Sequence, residues 1–151
     1  MQNISIIGLG NELRRDDGVG IWVARRVAAA DWDGASAVVL NNGDSTAILA
    51  ALQDAHVAYV IDAASATAEP GTIVRLDPMR RPLTLYARTF SSHGLGLAEA
   101  IELGRALGML PERLIVYGIV GADFSPGEGL SPEVERAARR LISRLRRLMP
   151  D

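Results

Sequence analysis

The chain predicts an α/β fold, a three-layer α/β/α sandwich around a mostly parallel sheet of five strands. Three observations lead there. Short apolar runs alternate with segments whose apolar residues recur every three or four positions. The runs stop at glycine, asparagine or aspartate, the residues of tight turns. Only one interval between runs is too short to hold a crossover helix.

The first strand is Ile4-Ser5-Ile6-Ile7, closed by Gly8. Asp16 or Asp17 then caps a helix through Val19, Val23, Val27 and Ala28. A second strand over 35–40 ends in Asn41-Asn42-Gly43-Asp44, where Asn and Gly tolerate positive φ. Asp44 or Ser45 caps a short helix through Ile48, Leu49 and Leu52. The third strand, Val57-Ala58-Tyr59-Val60-Ile61, is closed by Asp62. After the turn Glu69-Pro70-Gly71, a fourth strand covers 72–76. The interval between strands three and four carries no helical pattern, and a parallel crossover needs a dozen or more residues. Strand four is therefore expected antiparallel, at an edge of a sheet in flavodoxin-like order.

Residues 82–90 read as a loop with extended pieces, and 95–107 as a helix despite Gly96 and Gly104. A fifth strand over 114–119 leads into a Gly-rich loop, 121–130, holding Asp123, Pro126 and Glu128. Ser131-Pro132-Glu133 starts the last helix with an N-cap, a proline at the first position and early acids. Its apolar face is Val134, Ala137, Ala138, Leu141, Leu145 and Leu148. No repeat interrupts residues 1–151, which read as one domain.

Composition narrows the function. The formal net charge is -2, so no global field draws nucleic acid. The arginines of the last helix lie off its apolar stripe and read as a solvated basic face. No stretch reaches the ~18 apolar residues of a membrane span, and the start lacks a signal-peptide core. A cytoplasmic monomer is expected. There is no cysteine, so disulfides, thiolate metal sites and cysteine nucleophiles are absent. A metal would have to be held by oxygen and imidazole.

Three side chains stand where strands end or helices begin: Asp17, Asp62 and His93. Ligands of open α/β sheets bind at the carboxyl ends of the strands. Two carboxylates and an imidazole converging there suit a divalent metal or acid–base chemistry. Each has a plainer reading. Asp16 and Asp17 can serve a helix start, although one acid suffices for capping. Asp62 can bond loop amides; without a donor or cation opposite, its pKa would rise. His93 can be a helix-capping loop histidine, and the helix dipole there keeps it neutral, the form that ligates metals. His56 precedes strand three, at the other end from Asp62, and reads as structural. Ser91 and Ser92 adjoin His93, but no nucleophile-elbow motif accompanies them.

Gly8-Leu9-Gly10 invites a dinucleotide reading, which fails on spacing. The third glycine of G-x-G-x-x-G would fall at Leu13, and Asn41-Asn42 stand where an acid should end strand two.

Gly8-Leu9-Gly10-Asn11-x-Leu13-x-x-Asp16-Asp17-Gly18-Val19-Gly20 resembles the opening signature of the hydrogenase maturation proteases. Asp62-Ala63, Pro70-Gly71-Thr72, Ser92-His93-Gly94-Leu95-Gly96-Leu97 and Gly129-Leu130-Ser131-Pro132 follow in the family's order. The resemblance covers nearly the whole chain. It implies a five-stranded α/β sandwich and an endopeptidase that removes the C-terminal extension of a nickel–iron hydrogenase large-subunit precursor. It also implies that Asp17, Asp62 and His93 are the metal-contacting and catalytic set. The metal would be nickel carried by the precursor, with no permanent cofactor. One departure is visible: many members have Asp-Gly-Gly-Thr after strand two, where this chain has Asn41-Asn42-Gly43-Asp44. The partner surface is expected at the sheet's carboxyl edge with the 41–44 and 121–130 loops. The rival readings are a metallohydrolase with its own zinc or manganese and a non-cleaving assembly factor, kept open by the altered loop.

Overall fold

A computed structural model describes residues 3–82 and 94–150. Among them the elements run β1 (Ile4–Gly10), a 3₁₀ turn (Arg15–Gly18), α1 (Val19–Ala30), β2 (Ala35–Asn41), α2 (Ser45–Gln53), β3 (Val57–Ala64), β4 (Ile73–Leu76), α3 (Gly94–Leu107), β5 (Arg113–Val120) and α4 (Pro132–Leu148). The segment read as a loop with extended pieces lies, beyond Pro82, outside the described residues, as does His93.

The five strands form one sheet in the order β2-β1-β3-β5-β4. β4 runs antiparallel to β5 at the edge, as the short connection after β3 requires. The other pairings are parallel. Thus β2-β1-β3 keeps the flavodoxin-like order, while β5 takes the place beside β3 and β4 lies outermost.

Period-two alternation divides the sheet's side chains between two cores. Ile4, Ile6, Tyr59, Ile61, Ile115 and Tyr117 pack with α1 and α4. Ile7, Leu9, Ala58, Val60, Leu114 and Val116 pack with α2 and α3. The central strands β1 and β3 are buried throughout. That explains their unbroken apolar runs, since both faces are covered by helices.

Several boundaries differ from the sequence reading, each for a local reason. β1 passes through Gly8 and ends only at Gly10. Gly8 sits in the strand because α1 crosses directly over it: a Cβ there would lie 2.2 Å from the Gly20 carbonyl oxygen. β3 continues past Asp62 to Ala64, because β5 pairs with it up to Ala64–Val120. Asp62 is therefore a strand residue. Neither Asp16 nor Asp17 caps α1; Gly18 holds the N-cap position without a side-chain bond. Ala28 is exposed, and Ala24 fills the buried position between Val23 and Val27. Leu148 is exposed as well, because α4 ends there and extended Met149 folds onto the core instead.

Other signals hold as read. Asp44 caps α2, its Oδ1 accepting the Ala47 N–H at 2.9 Å. His56 lies at the amino end of β3, where its Nδ1 accepts the Asn3 N–H at 2.9 Å.

Candidate active site

The strand order creates a crevice at the carboxyl end. β1 and β3 pair only as far as Gly8–Ile61. Beyond that point β1 stays with β2, to Gly10–Asn41, and β3 stays with β5, to Ala64–Val120. The two central strands part where the chain's connections diverge, the usual place for a ligand in a doubly wound sheet. The start of α1 enters this fork. A Cβ on Gly20 would lie 2.2 Å from the Ile61 carbonyl oxygen and 2.6 Å from that of Leu9. Glycine there lets the helix touch both strand ends through backbone alone.

Asp17 and Asp62 flank the fork. Asp62 is fully buried on β3, one residue past its last pairing with β1. Strand alternation places it on the face of Ala58 and Val60, towards the α2–α3 layer. Its Oδ1 accepts the Ala63 N–H at 2.8 Å, which fixes the carboxylate's direction. Asp17 is only 4% exposed, in the 3₁₀ turn that packs against β1 and β3. Its N–H donates to the Arg14 carbonyl at 3.0 Å, and its carbonyl accepts the Asn11 N–H at 3.3 Å. Gly10 permits this approach: its φ is 142°, and a Cβ would fall 2.0 Å from the Asp17 carbonyl oxygen. The signature glycines thus set the distance between turn and strand as well as releasing the chain.

α3 begins at Gly94, with Gly96 against the start of α2. α2 follows the carboxyl end of β2, so α3 also starts at the carboxyl end of the sheet. His93, the residue before it in sequence, lies outside the described residues. Among the described residues, no group of three His, Asp or Glu side chains is arranged to hold a metal ion. The structure thus brings two members of the expected set to one fork.

Asp16 is the residue whose importance the sequence concealed. It is fully buried, and its carboxylate accepts four hydrogen bonds from the segment between β5 and α4. Its donors are more than a hundred residues away in sequence, so no local pattern could name them. Beside this turn lies a cleft of about 330 Å³, walled by Glu12, Leu13, Arg15, Trp22, Glu128 and Leu130. Glu12 is bound by Arg25 at 2.8 Å, and this hydrogen bond lowers its pKa. Asp123 is held below its ordinary pKa by the Ser125 hydroxyl, then by the Ser125 N–H and by attraction to Arg15.

The loop after β2 is also resolved in physical terms. Asn42 takes the positive φ, 58°, that glycine would otherwise supply. Gly43 is pressed against Leu40, where a Cβ would come within 2.8 Å of the Leu40 Cβ. Asp44, the acid displaced by three positions, bonds the start of α2.

Known proteins agree with this architecture. Residues 24–147 match the model of a family described as HycI, hydrogenase maturation protease. The match includes Asp62 and His93 and begins after Asp17. The hydrogenase 2 maturation protease of Escherichia coli (strain K12) is 29% identical over 140 residues, covering 87% of this chain and 81% of that protein. The hydrogenase expression/formation protein HupD of Rhodobacter capsulatus is 27% identical over 135 residues; the alignment covers 88% of this chain but 64% of that protein. Among solved structures, the [NiFe] hydrogenase maturation protease HybD from Thermococcus kodakarensis superimposes with a TM-score of 0.78 at 27% identity, covering 99% of this chain and 100% of that one. An endopeptidase from Escherichia coli, solved in solution, gives a TM-score of 0.81 at 25% identity, over 96% and 90% of the two chains. With most of its length matched to the family model, the chain belongs to the hydrogenase maturation protease family.

Proposed function

We propose that the protein is a cytoplasmic endopeptidase that removes the C-terminal extension of a nickel–iron hydrogenase large-subunit precursor after nickel insertion. The observation that carries this reading is the pair of desolvated carboxylates, Asp17 and Asp62, flanking the β1–β3 fork in a chain of this family. Among the described residues no helix is long and apolar enough to cross a membrane.

In this reading Asp17, Asp62 and His93 contact the nickel carried by the precursor. Carboxylate and neutral imidazole are suitable donors for such an ion. Docking the metal brings the precursor's tail to the fork, so cleavage waits until nickel is installed. The ion polarises the scissile carbonyl or a water. The Asp62 carboxylate, oriented by the Ala63 N–H, suits the role of a fixed ligand. Asp17, the less enclosed of the two, is assigned as the general base that takes a proton from the attacking water. The capping bond of Asp44 supports a structural role for the departed loop, which leaves the proposed chemistry with Asp17, Asp62 and His93.

Nickel-loaded precursor incubated with the protein should lose the mass of its C-terminal extension, and nickel-free precursor should not. Asp62→Ala and His93→Ala should each stop the loss. Wild-type cleavage by either variant would overturn the role given to these residues.

A further inference from the structure

We propose that Asp16 is a positioning residue: its carboxylate latches the loop after β5 onto the turn that carries Asp17, and so holds Asp17 in place. The geometry stands independently; its consequence for catalysis rests on the endopeptidase reading above.

The latch is made by one buried side chain. Asp16 Oδ2 accepts the Ala122 N–H at 2.8 Å, the Asp123 N–H at 3.0 Å and the Ser131 hydroxyl at 2.7 Å. Oδ1 accepts the Ser131 N–H at 2.7 Å. The Asp16 N–H in turn donates to the Asp123 carbonyl at 3.0 Å. A single carboxylate therefore closes on both ends of the loop, at its first residues and at Ser131, the residue before α4. Two backbone bonds seal the middle: Gly127 N–H to the Leu13 carbonyl at 2.8 Å, and Arg15 N–H to the Gly127 carbonyl at 3.0 Å. Gly121 keeps the approach open, since a Cβ there would lie 3.0 Å from the Asp16 Cβ.

A carboxylate buried only to stabilise a helix start would leave Ser131 to cap its own helix. Ser131 does hold the N-cap position of α4, yet it makes no side-chain capping bond. Its hydroxyl is turned to Asp16, to which it donates. The anion of Asp16 takes over the favourable position at the helix terminus. The residue that gains most from this exchange is Asp17, next along a turn of only four residues. That turn has no side-chain cap of its own. Asp17 follows directly in the same short turn, with its Cα about 3.8 Å along the chain, so freeing Asp16 loosens the backbone that carries Asp17.

Asp16→Asn keeps the volume but sets an amide N–H against backbone donors. Hydrogen exchange of the protein alone tests the latch. In Asp16→Asn, the Ala122, Asp123 and Ser131 amides should exchange faster, and the Asn11 and Asp17 amides with them. Unchanged protection at Asn11 and Asp17 would overturn the inference, whatever the loop does. Processing tests the consequence. Single-turnover cleavage at saturating nickel-loaded precursor should fall by about tenfold or more, as for a displaced catalytic group, while precursor affinity holds. Ser131→Ala should slow cleavage less, and Ser131→Thr, which restores the hydroxyl, should recover it. Wild-type cleavage by folded Asp16→Asn, or a Ser131→Thr variant as slow as Ser131→Ala, would overturn the positioning role. Failure of the wild-type protein to cleave at all would instead reject the endopeptidase reading, and the exchange result would still decide the latch.

Discussion

At the amino end of the sheet, polar contacts are made by groups that keep access to water. The Asn3 amide donates to His56, Asn3 Nδ2 donates to the Asp54 carbonyl, and all three residues are exposed. At the carboxyl end, Asp16, Asp17 and Asp62 are at most 4% exposed. Solvated polar groups cost little wherever they stand, whereas a desolvated carboxylate must be supplied with donors or a cation. Asp16 shows the structural answer, with four donors around one carboxylate. Burial of charge alone therefore does not mark a catalytic group. Two neighbours in one turn, Asp16 and Asp17, are both buried, so burial does not separate latch from proposed base.

The contrast between the ends can be broken by experiment. The largest effect should come from the acids themselves. Asp62→Ala should slow processing by ~10²–10³-fold or more, the scale of deleting a group that stabilises a reacting centre, while His56→Ala at the other end should leave the rate unchanged. Equal losses in a processing assay would erase the distinction.

Next is the same substitution made at both ends. Gly20→Ala drives a Cβ into two strand carbonyls and should cost more than ~3 kcal/mol in urea denaturation. Gly34→Ala, before β2, meets open space and suffers only its φ of 77°. It should cost about 1 kcal/mol.

Smaller again is Asp44→Ala. Losing the cap of α2 should lower stability by about 1 kcal/mol and leave processing intact. A collapse of processing would return the 41–44 loop to the active site.

The smallest effect concerns pH. Asp123 has a lowered pKa in the folded chain because Ser125 bonds its charged form. A depressed carboxylate contributes stability above its unfolded pKa and loses it as pH falls through the folded value. Ser125→Ala should therefore have a lower urea midpoint than wild type at pH 6, and the gap should begin to narrow as pH falls below about 4 and go on narrowing through the folded value. A gap that does not narrow at all between pH 6 and about pH 2 would show that the Ser125 hydroxyl acts through something other than the Asp123 charge.

Much of this was legible in the residues. The apolar runs of β1, β3 and β5 declared strands covered on both faces, and the short interval after β3 forced β4 to an antiparallel edge. Asp44 announced its cap because its partner is three residues away. Asp16 misled for the opposite reason. An acid before a helix is locally indistinguishable from a cap, and the donors that claim it come from the loop after β5. Gly8 read as a strand's end because glycine interrupts an apolar pattern, although the interruption reflects the passage of α1.

The layers, most of the helical faces and the cap of α2 followed from the residues alone, because hydrophobic periodicity and turn chemistry act over a few residues. Long-range packing fixed the rest: β1 and β3 part after Gly8 and Ile61, Gly20 touches the carbonyls of both strands, and Asp16 bonds Ala122, Asp123 and Ser131. Those facts depend on where distant segments meet, and the energy of burying a carboxylate is settled only by the donors that arrive there.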